Sequence, residues 1–168
     1  TDGLLEKIIA ELQMPAATTS TVCACRDGEP LLDRRVAGFI RDLKDSGIPT
    51  VTLVTNAELL NEKKSTELLS SGLDELMISI DGYSEAVYGK LRTGLNFETV
   101  IDNTMSFLKL RNNMNSDLSV RIRMVVVDEN REEVESYLEF WNSKVSDRDR
   151  VQALPAHSWG NELFIESK

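Results

Sequence analysis

The stretch Thr50–Gly82, TVTLVTNAELLNEKKSTELLSSGLDELMISIDG, holds two apolar runs separated by a polar one with helical spacing. TVTLVT, residues 50–55, reads as a strand buried on both faces, since it is rich in β-branched and apolar residues and has no charge. Glu62–Ser70 reads as a helix that Gly72 closes, and ELMISI, residues 75–80, reads as the next strand. Two strands joined by a helix form a βαβ unit, and its right-handed crossover lays the strands parallel.

The same alternation extends in both directions. Leu4, Leu5, Ile8, Ile9 and Leu12 line one face of a helix over residues 3–12, which Pro15 stops. A strand over 21–25 and a helix over Leu32–Leu43, ended by Gly47, follow. A broken helical region spans Ser84–Arg111, interrupted by RTGLN at 92–96. Then come a strand over 119–127, a helix over 131–144 and a strand over 150–156. The class is α/β with about five parallel strands, either an open doubly wound sheet or a partial, open TIM-like (β/α) barrel. Both architectures place their working loops at the C-terminal ends of the strands.

Composition narrows the function. Hydrophobic residues make up 41% and charged residues 28% of 168 positions, which suits one globular domain. The net charge of −9 opposes a nucleic-acid partner, and no apolar run approaches the ~18 residues of a membrane span. No signal peptide opens the sequence, so a cytoplasmic location is the expectation. The two cysteines, Cys23 and Cys25, lie in C-x-C spacing within an apolar strand, and buried thiols acting as small hydrophobes are expected there.

At the strand ends stand RDGEP, TNAEL, SIDGY, VVDEN and PAHSWGN, all polar and turn-forming. Their order resembles that of the radical S-adenosylmethionine (SAM) enzymes, in particular members usually followed by a cysteine-rich, SPASM-type C-terminal extension. DGEPLL is similar to the family's GGEPLL, TNA and SIDG to the ends of its next two strands, and YGKLRTGLNFETVIDN to the segment after them. HSWGN is similar to the tail of its sixth strand.

The resemblance implies a partial barrel over residues 1–161, starting in the helix after the family's first strand, with 162–168 as a tail. It implies S-adenosylmethionine and a [4Fe–4S] cluster as cofactors, the cluster's electron cleaving S-adenosylmethionine to a 5′-deoxyadenosyl radical that takes hydrogen from substrate. Asp27, Gly28, Glu29 and Pro30 would meet the methionyl ammonium, although the family usually has Gly where Asp27 stands. Ser79 and Asp81 would serve the cofactor's carboxylate or ribose, with Asn56 reaching the same space and Arg92 a carboxylate partner. Arg121 and Arg123 put a cationic face on the fifth family strand, for the cofactor or a substrate anion, and His157 and Trp159 would flank adenine or substrate.

The family's C-x-x-x-C-x-x-C loop, whose three thiolates hold the cluster, is not in this sequence. The expectation is a core portion of a longer radical SAM enzyme, inactive by itself, whose open sheet edge self-associates or borrows a strand. The alternative is a non-catalytic α/β module that binds a ligand or protein on a degenerate barrel. Peptides, sugars and small metabolites all remain open as substrates.

Overall fold

The computed structural model describes residues 2–12, 19–25 and 27–156. Five strands, β1 (Thr21–Cys23), β2 (Thr50–Thr55), β3 (Glu75–Ser79), β4 (Ser119–Val126) and β5 (Arg150–Pro155), form one sheet in the order β1-β2-β3-β4-β5. Every neighbouring pair is parallel. Among the described residues six helices accompany them: α1 (Asp2–Leu12), α2 (Val36–Asp45), α3 (Glu62–Leu69), α4 (Glu85–Leu91), α5 (Phe97–Asn113) and α6 (Val134–Asn142). Strand order equal to chain order decides between the two expected architectures. Successive right-handed crossovers in one direction put every connecting helix on the same face, as in a barrel wall, whereas a doubly wound sheet must reverse its order.

Burial follows that geometry. Val51, Leu53, Leu76, Ile78, Val120, Ile122 and Met124 face the helices and are buried with Ile40, Leu43, Leu68, Phe107, Tyr137 and Trp141 in one apolar core. The alternate residues, Thr52, Val54, Glu75, Met77, Arg121 and Arg123, lie on the other, concave face and are half-buried. In-register partners share a face, so Ser79, Arg123 and Gln152 form one row across β3, β4 and β5.

Several expected boundaries move. The helix expected from Leu32 begins at Val36, because Pro30–Leu32 form a separate 3₁₀ turn and the Asp33 carboxylate accepts from the Arg35 amide at 2.9 Å. Leu32, counted as part of the helix face, is 74% exposed. The first strand ends at Cys23, two residues early, and the helix expected from Arg131 opens with a 3₁₀ turn over Arg131–Glu133. Cys23 is therefore exposed and Cys25 partly buried, and neither is the fully buried thiol expected.

At the N-terminal edge of the sheet two aspartates hold adjacent strands. Asp74, just before β3, accepts from the Val51 amide of β2 at 2.7 Å and from Lys44 Nζ at 2.9 Å. Asp149, just before β5, does the same for β4: it accepts from the Val120 amide at 2.8 Å, from Ser146 and from Arg111 of α5. The Arg111–Asp149 pair is almost wholly removed from water, with side chains 1% and 0% exposed. Burial pushes the Asp149 carboxyl up, but hydrogen bonds from Arg111, Ser146 and Val120 outweigh it and hold its pKa below the ordinary 3.8.

Asp149→Ala strands the buried Arg111 charge and is expected to cost about 3–5 kcal/mol in urea denaturation at neutral pH. Because the folded pKa is the depressed one, the stabilisation is complete above 3.8 and is lost as pH falls through the folded value. The gap between wild type and Asp149→Ala is therefore expected to hold constant from neutrality to about pH 5 and to narrow only in stronger acid.

Candidate active-site face

The loop after β1 is fastened to the end of β2 by one carboxylate. Glu29 Oε1 accepts from the Leu31 amide at 2.9 Å and from Thr55 Oγ1 at 2.8 Å, while Oε2 accepts from the Asn56 amide at 2.8 Å. Three donors take most of Glu29's acceptor sites, so it positions the loop. Gly28 sits at φ +83° with open space where a Cβ would point. The backbone carbonyls of Asp27 and Gly28 both turn toward Cys25 Sγ, at 3.8 and 3.7 Å, and so converge on one point. Asn56 spends its side-chain carbonyl on the Glu58 amide at 2.9 Å, closing its own turn beside Ala57 at φ 63°.

Ser79 and Asp81 converge as their spacing suggests, but on a protein group. Arg92 Nε donates to Asp81 Oδ2 at 2.8 Å and Arg92 Nη2 to Ser79 Oγ at 2.8 Å. Asp81, 8% exposed, also accepts from the Val125 amide of β4 at 2.8 Å. Arg92 is thus delivered to the strand ends, with its side chain 32% exposed. Gly82 is required for packing: a Cβ there would lie 2.8 Å from the Tyr88 backbone nitrogen of α4.

Two further residues shape the site without any motif to mark them. Asn130, fully buried, donates to the Asp81 carbonyl at 3.1 Å and the Val125 carbonyl at 2.9 Å, joining the loops after β3 and β4. Glu133 accepts from the Tyr83 amide at 2.7 Å and from the Ser84 hydroxyl, and so fixes the start of α4. Their bonds to residues 81–84, 49 to 50 positions back, give them meaning.

On the concave face Arg121 donates to Glu75 at 2.7 Å. The Nε atoms of Arg121 and Arg123 and the Oε1 of Gln152 are shut from solvent and have no hydrogen-bond partner among the described residues. Each such atom costs about 1–3 kcal/mol when left unpaired. The Tyr88 and Tyr137 phenols are also unpaired. Burial pushes Tyr88 up to about 12 and Tyr137 higher still, so both stay protonated. His157 and Trp159 lie outside the described residues, as does Arg26. No helix among the described residues is long and apolar enough to cross a membrane.

The model of the radical SAM superfamily matches residues 4–140. The chain belongs to the radical SAM superfamily. A GTP 3',8-cyclase of Limosilactobacillus fermentum is 40% identical over 76 residues, covering 45% of this chain and 23% of that protein. A probable GTP 3',8-cyclase of Saccharolobus islandicus is 32% identical over 113 residues, covering 67% of this chain and 34% of that protein. The chain thus matches a quarter to a third of these relatives' lengths. Among solved structures, Streptococcus suis SuiB bound to S-adenosylmethionine superposes with TM-score 0.69 at 17% identity, over 97% of this chain and 35% of that one. A domain of pyruvate-formate lyase-activating enzyme from Bacteroides vulgatus gives TM-score 0.64 at 18% identity, over 81% and 80%. These likenesses show the radical SAM barrel fold.

The radical SAM family implies two cofactors, and this chain's residues suit them unequally. A [4Fe–4S] cluster needs three thiolates in this family, and the chain has two cysteines. Cys25, moreover, is pushed up by burial and then by Cys23, Glu29 and Asp27, which opposes a thiolate. The cluster does not fit these residues. S-adenosylmethionine suits them better: the Asp27 and Gly28 carbonyls, which accept from Cys25 Sγ, each keep a second lone pair for its ammonium, and Arg92 and Ser79 suit its carboxylate.

Glu29→Gln replaces the acceptor facing the Asn56 amide with a donor or a bare edge. It is expected to destabilise by about 1–3 kcal/mol and to speed hydrogen exchange at the Leu31 and Asn56 amides while exchange in β4 is unchanged. Gly82→Ala, with its Cβ against α4 backbone, is expected to cost about 1–3 kcal/mol in thermal or urea unfolding.

Proposed function

We propose that this chain is the S-adenosylmethionine-holding core of a radical SAM enzyme. The observation that carries the reading is the gathering, at one edge of a parallel sheet, of the Asp27–Gly28 carbonyls and the Ser79–Arg92 pair. The carbonyls are electronegative and the guanidinium is cationic, the two poles an α-amino acid headgroup requires. Bound S-adenosylmethionine supplies the 5′-deoxyadenosyl group that radical SAM enzymes use to remove hydrogen from substrate.

This chain's residues act in binding and orientation. Glu29 holds the carbonyl-bearing loop, and Asp81 holds Arg92 at the angle its two hydrogen bonds set. Thiolates for a cluster come from outside this sequence in such an enzyme, and no electron-transfer step is derived from the residues present. The count of two cysteines also favours a second reading, a ligand-binding module that keeps the pocket without the redox chemistry.

Titrating S-adenosylmethionine into the ¹⁵N-labelled 168-residue chain tests the first step common to both cofactor-binding readings. Amide shifts at Gly28, Ser79 and Arg92 are expected, with Ser79→Ala weakening the affinity about threefold to tenfold, the worth of one hydrogen bond. Titration to millimolar ligand without shifts at those amides sinks the proposal. Hydrogen abstraction, tested with a cluster-bearing enzyme containing this core, separates the catalytic reading from the binding module.

A further inference from the structure

We infer that Arg123 on β4 and Gln152 on β5 form a second anion site, which recognises the carboxylate of an N-acylated amino acid such as the C-terminal residue of a peptide substrate. The inference rests on the cofactor reading above only in leaving the Ser79–Arg92 pair to the cofactor's own carboxylate.

Charge accounting singles out Arg123. Of the described arginines, Arg92, Arg111, Arg121 and Arg123 are the ones at least partly buried, and the first three each hold a carboxylate. The Arg123 side chain has no hydrogen bond or ion pair among the described residues, and its Nε is buried. The chain carries 28 acidic residues against 19 basic ones, and none of those among the described residues is paired with Arg123. A guanidinium N–H shut from water without a partner is costly, and such a cost persists where a ligand repays it.

The neighbouring strand supplies the second half. Gln152 is the register partner of Arg123, on the same concave face, and its Oε1 is likewise buried and unpaired. Neighbouring strands lie ~4.8 Å apart, so one small ligand touches both side chains. A guanidinium asks for an anion with two oxygens, and a carboxamide oxygen asks for an N–H. A carboxylate one carbon from an amide offers both.

The next row toward the strand ends is apolar: Val125 opposite Leu154, the latter 41% exposed. That row suits a hydrocarbon side chain above the carboxylate. Two residues the other way, Arg121 adds positive potential while tied to Glu75 at 2.7 Å.

N-acetyl-L-leucine is the probe, titrated into the 168-residue chain while the arginine Nε–H signals are followed by ¹⁵N NMR. Binding is expected to shift the Arg123 Nε–H signal, and N-acetyl-L-leucinamide, which lacks the carboxylate, is expected to bind at least tenfold more weakly to the unaltered protein. Arg123→Gln is expected to lose tenfold or more, and Gln152→Met severalfold. Saturation with S-adenosylhomocysteine is expected to leave N-acetyl-L-leucine binding in place. An unmoved Arg123 signal, equal affinity for the amide, or displacement by S-adenosylhomocysteine overturns the proposal. Failure of S-adenosylhomocysteine to bind counts against the cofactor reading alone, since the first three measurements stand without it.

Discussion

A parallel strand cannot be reached by a tight turn; the chain must cross back over the sheet, and chirality makes that crossing right-handed. In this protein every crossing also steps in the same direction, since the strands lie in chain order. Helices therefore accumulate on one face and the loops that start them on one edge. The concave face is left without helices, which is why charged side chains such as Glu75, Arg121 and Arg123 can occupy the middle of a sheet.

Carboxylates then lock that edge. Glu29 fastens the loop after β1 to β2, Asp81 joins the end of β3 to β4 and to Arg92, and Glu133 fixes the start of α4 from the loop after β4. In each case the acid accepts backbone N–H groups that a strand or helix terminus leaves over. The acidic balance of the chain is partly used inside, as connective structure, and is not only a surface property.

Periodicity made the elements legible: the runs 50–55, 75–80 and 119–127 fall on strands, and 84–111 breaks into two helices where RTGLN interrupts it. It misled where an apolar residue was exposed, as at Leu32, or where a strand bent away early, as at Cys23. The site was legible as residue types and positions, but not as bonds. Ser79 and Asp81 do converge, yet the group they hold directly is Arg92, thirteen and eleven positions onward. Asn130, Glu133 and Gln152 carried no motif, because the bonds by which the first two join separate loops reach 49 to 50 positions back and the neighbour of Gln152 is defined only by register.

The aspartate latches of the opposite edge bear on how such a molecule assembles. Asp74 reaches back 23 positions to β2 and Asp149 reaches back 29 to β4, each joining a strand to its neighbour and to one cation of a preceding helix. The edge bonds of the site span one crossover in the same way, 26 positions for Glu29 to Thr55 and 44 for Asp81 to Val125. Couplings of that kind make the sheet quasi-one-dimensional, closer to a stack of repeats than to a closed shell. Loop-closure entropy is met one modest step at a time, so order can spread from any nucleus of two strands, and a further strand can join either rim without disturbing those already placed.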